Sequence, residues 1–155
     1  MKGRILVMDK KAFTKVIQEK FKIVRTEAGY TQDSMSQTVG LSKKTLVQIE
    51  KERIVPNWTT CVSICALFRD SDILTSTFGG DPLELAQVLS RGNAHYPQYN
   101  KEMLYWEKLE EKDGWRLEKN KMNDLYRVVN ADNQAEHASY LERQAVTFFK
   151  QKTSE

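Results

Sequence analysis

Between Ser42 and Lys51 the chain places Lys43, Lys44, Thr45, Val47 and Gln48 within six residues. These are hydrogen-bond donors and small apolar tips rather than nucleophiles or acid–base pairs. Lysine ammonium groups can donate to phosphate or to guanine O6 and N7. A glutamine amide can pair with adenine N6 and N7, and the methyl groups of Thr45 and Val47 can meet the thymine methyl.

Catalytic patterns are missing. No glycine-rich phosphate loop, nucleophile elbow or metalloprotease motif occurs, and His95 and His137 each stand alone. Neither an enzyme nor a cofactor is therefore expected. Cys61 and Cys65 lie one helical turn apart, but structural zinc takes four ligands in paired short spacings. The two read as small core residues and no metal is expected. Two cysteines also cannot build the disulfide framework of a secreted domain, so a reducing cytoplasm suits them.

Positioning the donor cluster requires a rigid frame, and periodicity supplies one. From Lys10 to Ala28 the apolar residues Phe13, Ile17, Phe21 and Val24 recur at steps of four, four and three, the signature of one helix face. Gly29 ends that helix. Thr31 caps a second, Gln32 to Thr38, with Met35 and Val39 inward, and Gly40 breaks the chain again. Ser42 caps a third from Lys43 to about Lys51, pointing Leu46 and Ile49 in and Lys43, Lys44, Val47, Gln48 and Lys51 out. After Pro56 a fourth runs from Asn57 or Trp58 to Phe68 with Trp58, Cys61, Val62, Cys65 and Phe68 inward.

The stretch Arg25 to Phe68 resembles the helix-turn-helix domain of the lambda repressor and Cro (XRE-type) transcriptional regulators. The resemblance rests on Arg25-Thr-Glu-Ala-Gly29-Tyr-Thr31-Gln32, Val39-Gly40-Leu41-Ser42, Leu46-Val-Gln-Ile49-Glu50 and Pro56. It implies that the third helix enters the major groove of double-stranded DNA, where Lys43, Lys44, Thr45, Val47 and Gln48 read bases. It further implies that Gln32, Lys51, Arg53 and Asn57 meet phosphates, which fixes register without reading sequence. Arg25 and Glu50 occupy the positions of a structural ion pair in that family. Two residues depart from its pattern: Ser36 replaces a small alanine, and Glu52 replaces the glycine that usually follows the third helix.

Charge distribution agrees with this division of labour. Residues 1–70 hold 13 Lys and Arg against 7 Asp and Glu, whereas residues 71–155 hold 11 against 14, in a chain of 155 residues with net charge +3. A basic half beside a mildly acidic one is the asymmetry expected when one half meets a polyanion. No run reaches the roughly 18 apolar residues of a membrane span, so no membrane partner is expected. Ile5 to Met8 is too short for a signal-peptide core. Met1 to Asp9 reads equally as an edge strand or a free arm.

Beyond the fourth helix the expectations are coarser. Arg69 to Asp81, polar and ending in Gly79-Gly80, reads as a boundary, followed by a helix from Asp81-Pro82 to Arg91. Another helix is expected from Gln98 or Asn100 to Lys112, with Met103, Trp106 and Leu109 on one side. After Asp113-Gly114 the period changes to that of strands. Trp115 to Glu118, Leu125 to Val129 and Gln134 to Ser139 would make a three-stranded meander, closed by a helix with Leu141, Ala145, Phe148 and Phe149 inward.

The fold expected is thus mainly α, a helix-turn-helix bundle (10–70) and a helical connector (71–97) leading to a small α+β module (98–155) with a short antiparallel sheet. Residues 96–155 hold nine of the fifteen aromatic residues. These can be a small core, a dimer interface, or a pocket in which Arg116 and Arg127 hold an anionic molecule. The function expected is a cytoplasmic, homodimeric DNA-binding repressor from a bacterium or phage, with a small-molecule, peptide or protein effector at the C-terminal module. The alternatives are an antitoxin whose C-terminal half binds a toxin, and an interaction module whose helix-turn-helix does not bind DNA.

Overall fold

The structure, a computed structural model, describes residues 8–97 and 103–154. Contacts divide the chain between His95 and Tyr96 into two compact units. Among the described residues the first unit holds six helices: α1 (Lys10–Glu27), α2 (Gln32–Val39), α3 (Lys43–Glu50), α4 (Trp58–Leu67), α5 (Asp72–Phe78) and α6 (Pro82–Arg91).

Each of these helices starts on a polar side chain that accepts an otherwise unsatisfied backbone N–H. The six caps are Asp9, Thr31, Ser42, Asn57, Ser71 and Asp81, each worth about 1 kcal/mol. Thr31 and Ser34 cap one another reciprocally at the start of α2. The turn into α3 needs a left-handed residue, and Gly40 supplies it at φ 86°.

Phe13, Ile17, Phe21 and Val24 of α1 pack with Met35, Leu46, Ile49, Cys61 and Cys65 in one core. The ring of Phe13 stacks on Phe78 at 4.8 Å and tilts against Trp58 at 5.5 Å. On α4 the buried set includes Ile64, beyond the residues expected inward, whereas Val62 is half-buried.

The polar segment 69–81, expected as a boundary, instead carries α5. Its Leu74 is fully buried and Ile73 and Phe78 pack on the core. Glu27 organises the helix start: it accepts from Ser71 Oγ at 2.5 Å and from the Ile73 N–H at 3.2 Å.

Among the described residues of the second unit, the first element is a 3-10 turn, Met103–Tyr105. Strands β1 (Trp106–Lys112), β2 (Trp115–Asn120), β3 (Tyr126–Val129) and β4 (Ala135–Ser139) follow, and α7 (Glu142–Thr153) closes the unit. All neighbours in the sheet are antiparallel, in the order β1-β2-β3-β4. Leu117 and Val128 pack under Ala145 and Phe149 of α7.

Three expectations are corrected here. Residues 106–112 form a strand rather than the end of a helix; the expected helix start at Gln98 or Asn100 lies outside the described residues. The sheet accordingly has four strands, not three. Asp113 and Gly114 both take positive φ, 54° and 84°, the conformation of a two-residue hairpin turn that folds β1 onto β2 with Lys112 opposite Trp115. Leu141 is also corrected: it precedes α7 and is 55% exposed rather than packed inward.

Candidate nucleic-acid interface

Leu46 and Ile49 root α3 in the core, so its opposite side is presented outward. Lys43 and Lys44 are exposed, and Thr45, Val47 and Gln48 are half-buried. All five residues predicted to read bases therefore belong to one short, rigidly anchored helix. Lys43 Nζ lies 3.1 Å from Asp33 on α2, an exposed pair that tethers the amine loosely. Thr45 accepts from Ser42 Oγ at 2.9 Å while its own N–H donates back to that oxygen at 3.1 Å.

Behind α3 stands the ion pair. Arg25 Nε donates to Glu50 Oε2 at 2.6 Å, Nη2 donates to Oε1 at 3.0 Å, and Nη1 donates to the carbonyl of Tyr30 at 2.9 Å. The hydrogen bond to Glu50 raises the Arg25 guanidinium above its already high range against the opposing effect of burial. With the two side chains 11% and 4% exposed, this is a buried fork joining the end of α1 to the end of α3.

The residues predicted to meet phosphates fall into two groups. Lys51 and Arg53 are exposed in the loop after α3. Gln32 opens α2, but its Nε2 donates to Glu50 Oε1 at 3.2 Å, so it also belongs to the fork. Asn57 uses its Oδ1 to cap α4 through the Thr60 N–H at 2.8 Å, which leaves its NH2 group as the donor.

The two departures from the family pattern are accommodated. Glu52 takes φ 57°, the left-handed conformation a glycine would adopt there. The N–H groups of Glu52 and Arg53 close the helix on the carbonyls of Ile49 and Gln48, both at 2.9 Å. Ser36 is buried and donates to the Asp33 carbonyl at 2.8 Å.

Sequence reasoning missed Gln18. Only 3% exposed, it donates Nε2 to the carbonyl of Ile54 at 2.7 Å and so ties α1 to the loop after α3. The available signal was its place seven residues before Arg25, two turns along the same helix edge.

Cys61 and Cys65 lie in the core, and Cys61 Sγ donates to the carbonyl of Pro56 at 3.8 Å. Burial pushes both thiols up to about 12, with smaller contributions from Cys65 on Cys61 and from Asp81 on Cys65. Their reactive thiolate form is thereby suppressed.

In the second unit Arg116 and Arg127 do not present bare positive charge to a pocket. Both turn onto Glu118, at 3.0 and 2.8 Å, and Arg127 also lies 3.8 Å over the Trp106 ring. The aromatic residues divide by role. Trp115, Tyr126, Phe148 and Phe149 belong to the small core, Tyr96, Tyr105 and Tyr140 are exposed, and Tyr99 lies outside the described residues.

Over 52 residues the chain is 35% identical to a protein of Bacillus subtilis (strain 168) named an uncharacterized HTH-type transcriptional regulator, YgzD; the match covers 34% of this chain and 79% of that protein. No family model and no solved structure matches the chain.

Proposed function

The chain belongs to the HTH-type transcriptional regulators, and on that premise we propose that it is a sequence-specific DNA-binding repressor of the lambda repressor and Cro class that reads the major groove with α3. One observation carries the reading: the Arg25–Glu50 fork holds α3 so that Lys43, Lys44, Thr45, Val47 and Gln48 are offered together from one anchored helix. The B-DNA major groove, about 12 Å wide, admits such a helix.

In this reading Lys51, Arg53 and the NH2 group of Asn57 contact phosphates beside the groove. Gln32 contributes mainly by orienting Glu50, with the N-terminus of α2 adding its partial positive charge. The protein works in the cytoplasm as a homodimer, because two-fold pairing places two recognition helices on half-sites about 34–36 Å apart. The C-terminal unit serves dimerisation or sensing, and the protein binds rather than catalyses.

The test exposes the wild type and a Lys43→Ala, Lys44→Ala, Gln48→Ala variant to pooled random duplex DNA across a salt series, with the retained DNA sequenced. Enrichment of a palindrome by the wild type alone is the expected result. Log K should fall with log salt at a slope of roughly −0.9 per neutralised phosphate. No enrichment and no salt slope would replace this reading with a protein-interaction module.

A further inference from the structure

Positions 11, 15, 18, 22 and 25 of α1 follow steps of four, three, four and three, which puts them along one edge of the helix. Two of them tie that edge to α3 and its following loop: Arg25 forks onto Glu50 at the end of α3, and Gln18 holds the Ile54 carbonyl in the loop. The other three are Lys11, Lys15 and Lys22, all exposed. Lys15 Nζ donates to Gln18 Oε1 at 2.9 Å, so one amide joins the Lys15 amine to the loop that carries Lys51 and Arg53.

Charge is unevenly distributed around this helix. Of its acidic residues, Glu27 falls about 180° around the axis from Gln18, whereas Glu19, about 40° beyond Lys15 at 100° per residue, flanks the lysine edge. Of the remaining lysines, Lys10 lies 4.7 Å over the Trp58 ring and Lys20 falls on the far side. A helix charged only for solubility would mix both signs on every exposed face. Here the edge tied to α3 and its loop carries Lys11, Lys15, Lys22 and Arg25, with Glu19 as the one acidic residue on its flank.

We propose that the DNA-binding surface continues from the loop after α3 onto α1, with Lys11, Lys15 and Lys22 forming a rail for the phosphates of a DNA strand. At 1.5 Å per residue the rail runs about 16 Å. One strand presents a phosphate about every 3.4 Å of duplex axis, so this length spans several of them. Gln18 is the positioning residue that seats the Lys51–Ile54 loop against the rail. The inference rests on the DNA-binding reading above.

The experiment compares the full chain with a Lys11→Gln, Lys15→Gln, Lys22→Gln variant, a matched triple arginine variant and Lys20→Gln, using duplex DNA in a salt series. Each lost contact is expected to flatten the log K against log salt slope by about 0.9. The sequence preference should stay unchanged, because phosphate contacts carry no base information. The arginine triple should retain the full slope, and Lys20→Gln should change it little. Thermal melts establish that each variant is folded, and the three single glutamine variants replace the triple if it is not.

An unchanged slope in the glutamine variants, with the wild type binding normally, overturns the rail and leaves the DNA reading standing. Equal flattening by Lys20→Gln also overturns it, because the effect would then be one of bulk charge. Absence of DNA affinity in the wild type removes both.

Discussion

Arg25 and Glu50 are 25 residues apart in sequence and share two hydrogen bonds, 2.6 and 3.0 Å, with Gln32 adding a third to the same carboxylate. Removing the guanidinium strands a carboxylate that is 4% exposed. Arg25→Ala should therefore lower the stability of the first unit by about 3–5 kcal/mol, read as a denaturant midpoint. Loss of DNA affinity with stability intact would make Arg25 a contact residue instead.

Lys44→Ala and Gln48→Ala should leave stability within about 0.5 kcal/mol, since neither side chain is in the core. Selection from random duplexes should show relaxed preference at one position per half-site for each variant. A good bidentate contact discriminates by about 1–3 kcal/mol. A uniform loss across all sequences would reassign the residue to phosphate.

Glu52→Gly should stabilise the first unit by about 1 kcal/mol, because Glu52 holds φ 57° against the steric preference of a side chain. The same change removes a negative charge between Lys51 and Arg53, so DNA affinity at low salt should rise. Thermal melts and a low-salt titration on one preparation check the two effects separately.

Gly114→Ala should weaken the sheet by about 1–2 kcal/mol. The residue sits at φ 84°, and an added Cβ would lie 3.0 Å from Ala131 Cβ. Reduced hydrogen-exchange protection at the β1–β2 amides is the expected readout, with the first unit unaffected.

Stability should decline as pH rises through the interval from 9 to about 12. The folded thiols of Cys61 and Cys65 keep their protons up to about 12, whereas unfolded thiols ionise near 9.0. The unfolded chain binds fewer protons across that interval, so the slope is negative, at most about 1.4 kcal/mol per pH unit for each thiol. A Cys61→Ala, Cys65→Ala variant should show a shallower decline; identical pH profiles would remove the thiols as the cause.

Helices α1 to α3 were legible because each announces itself twice, by an apolar period and by a cap. Thr31 before Gln32 and Ser42 before Lys43 mark the same starts as the burial of Met35 and Leu46. Arg25 and Glu50 became legible as a pair only through a family resemblance, since spacing alone does not connect residues across a turn. α5 escaped because seven residues give too little period, although Ser71 was a cap in plain view. β1 was misread for a different reason. Glu, Lys and Leu are good helix formers, and an edge strand whose residues 107–112 are all exposed tolerates them because charge there deters pairing with another chain. Asp113-Gly114 was the stronger signal, a hairpin turn rather than a helix stop.

Both cysteines of the chain sit in the core of the first unit, and the second unit has none. A thiol reagent can therefore act only when that first core opens, which makes labelling kinetics a clock for its breathing alone. Binding to DNA should slow that clock by mass action if the ligand engages only the closed form. The chain thus carries its own reporter of opening in the first unit, needing no added fluorophore and silent to events in the sheet.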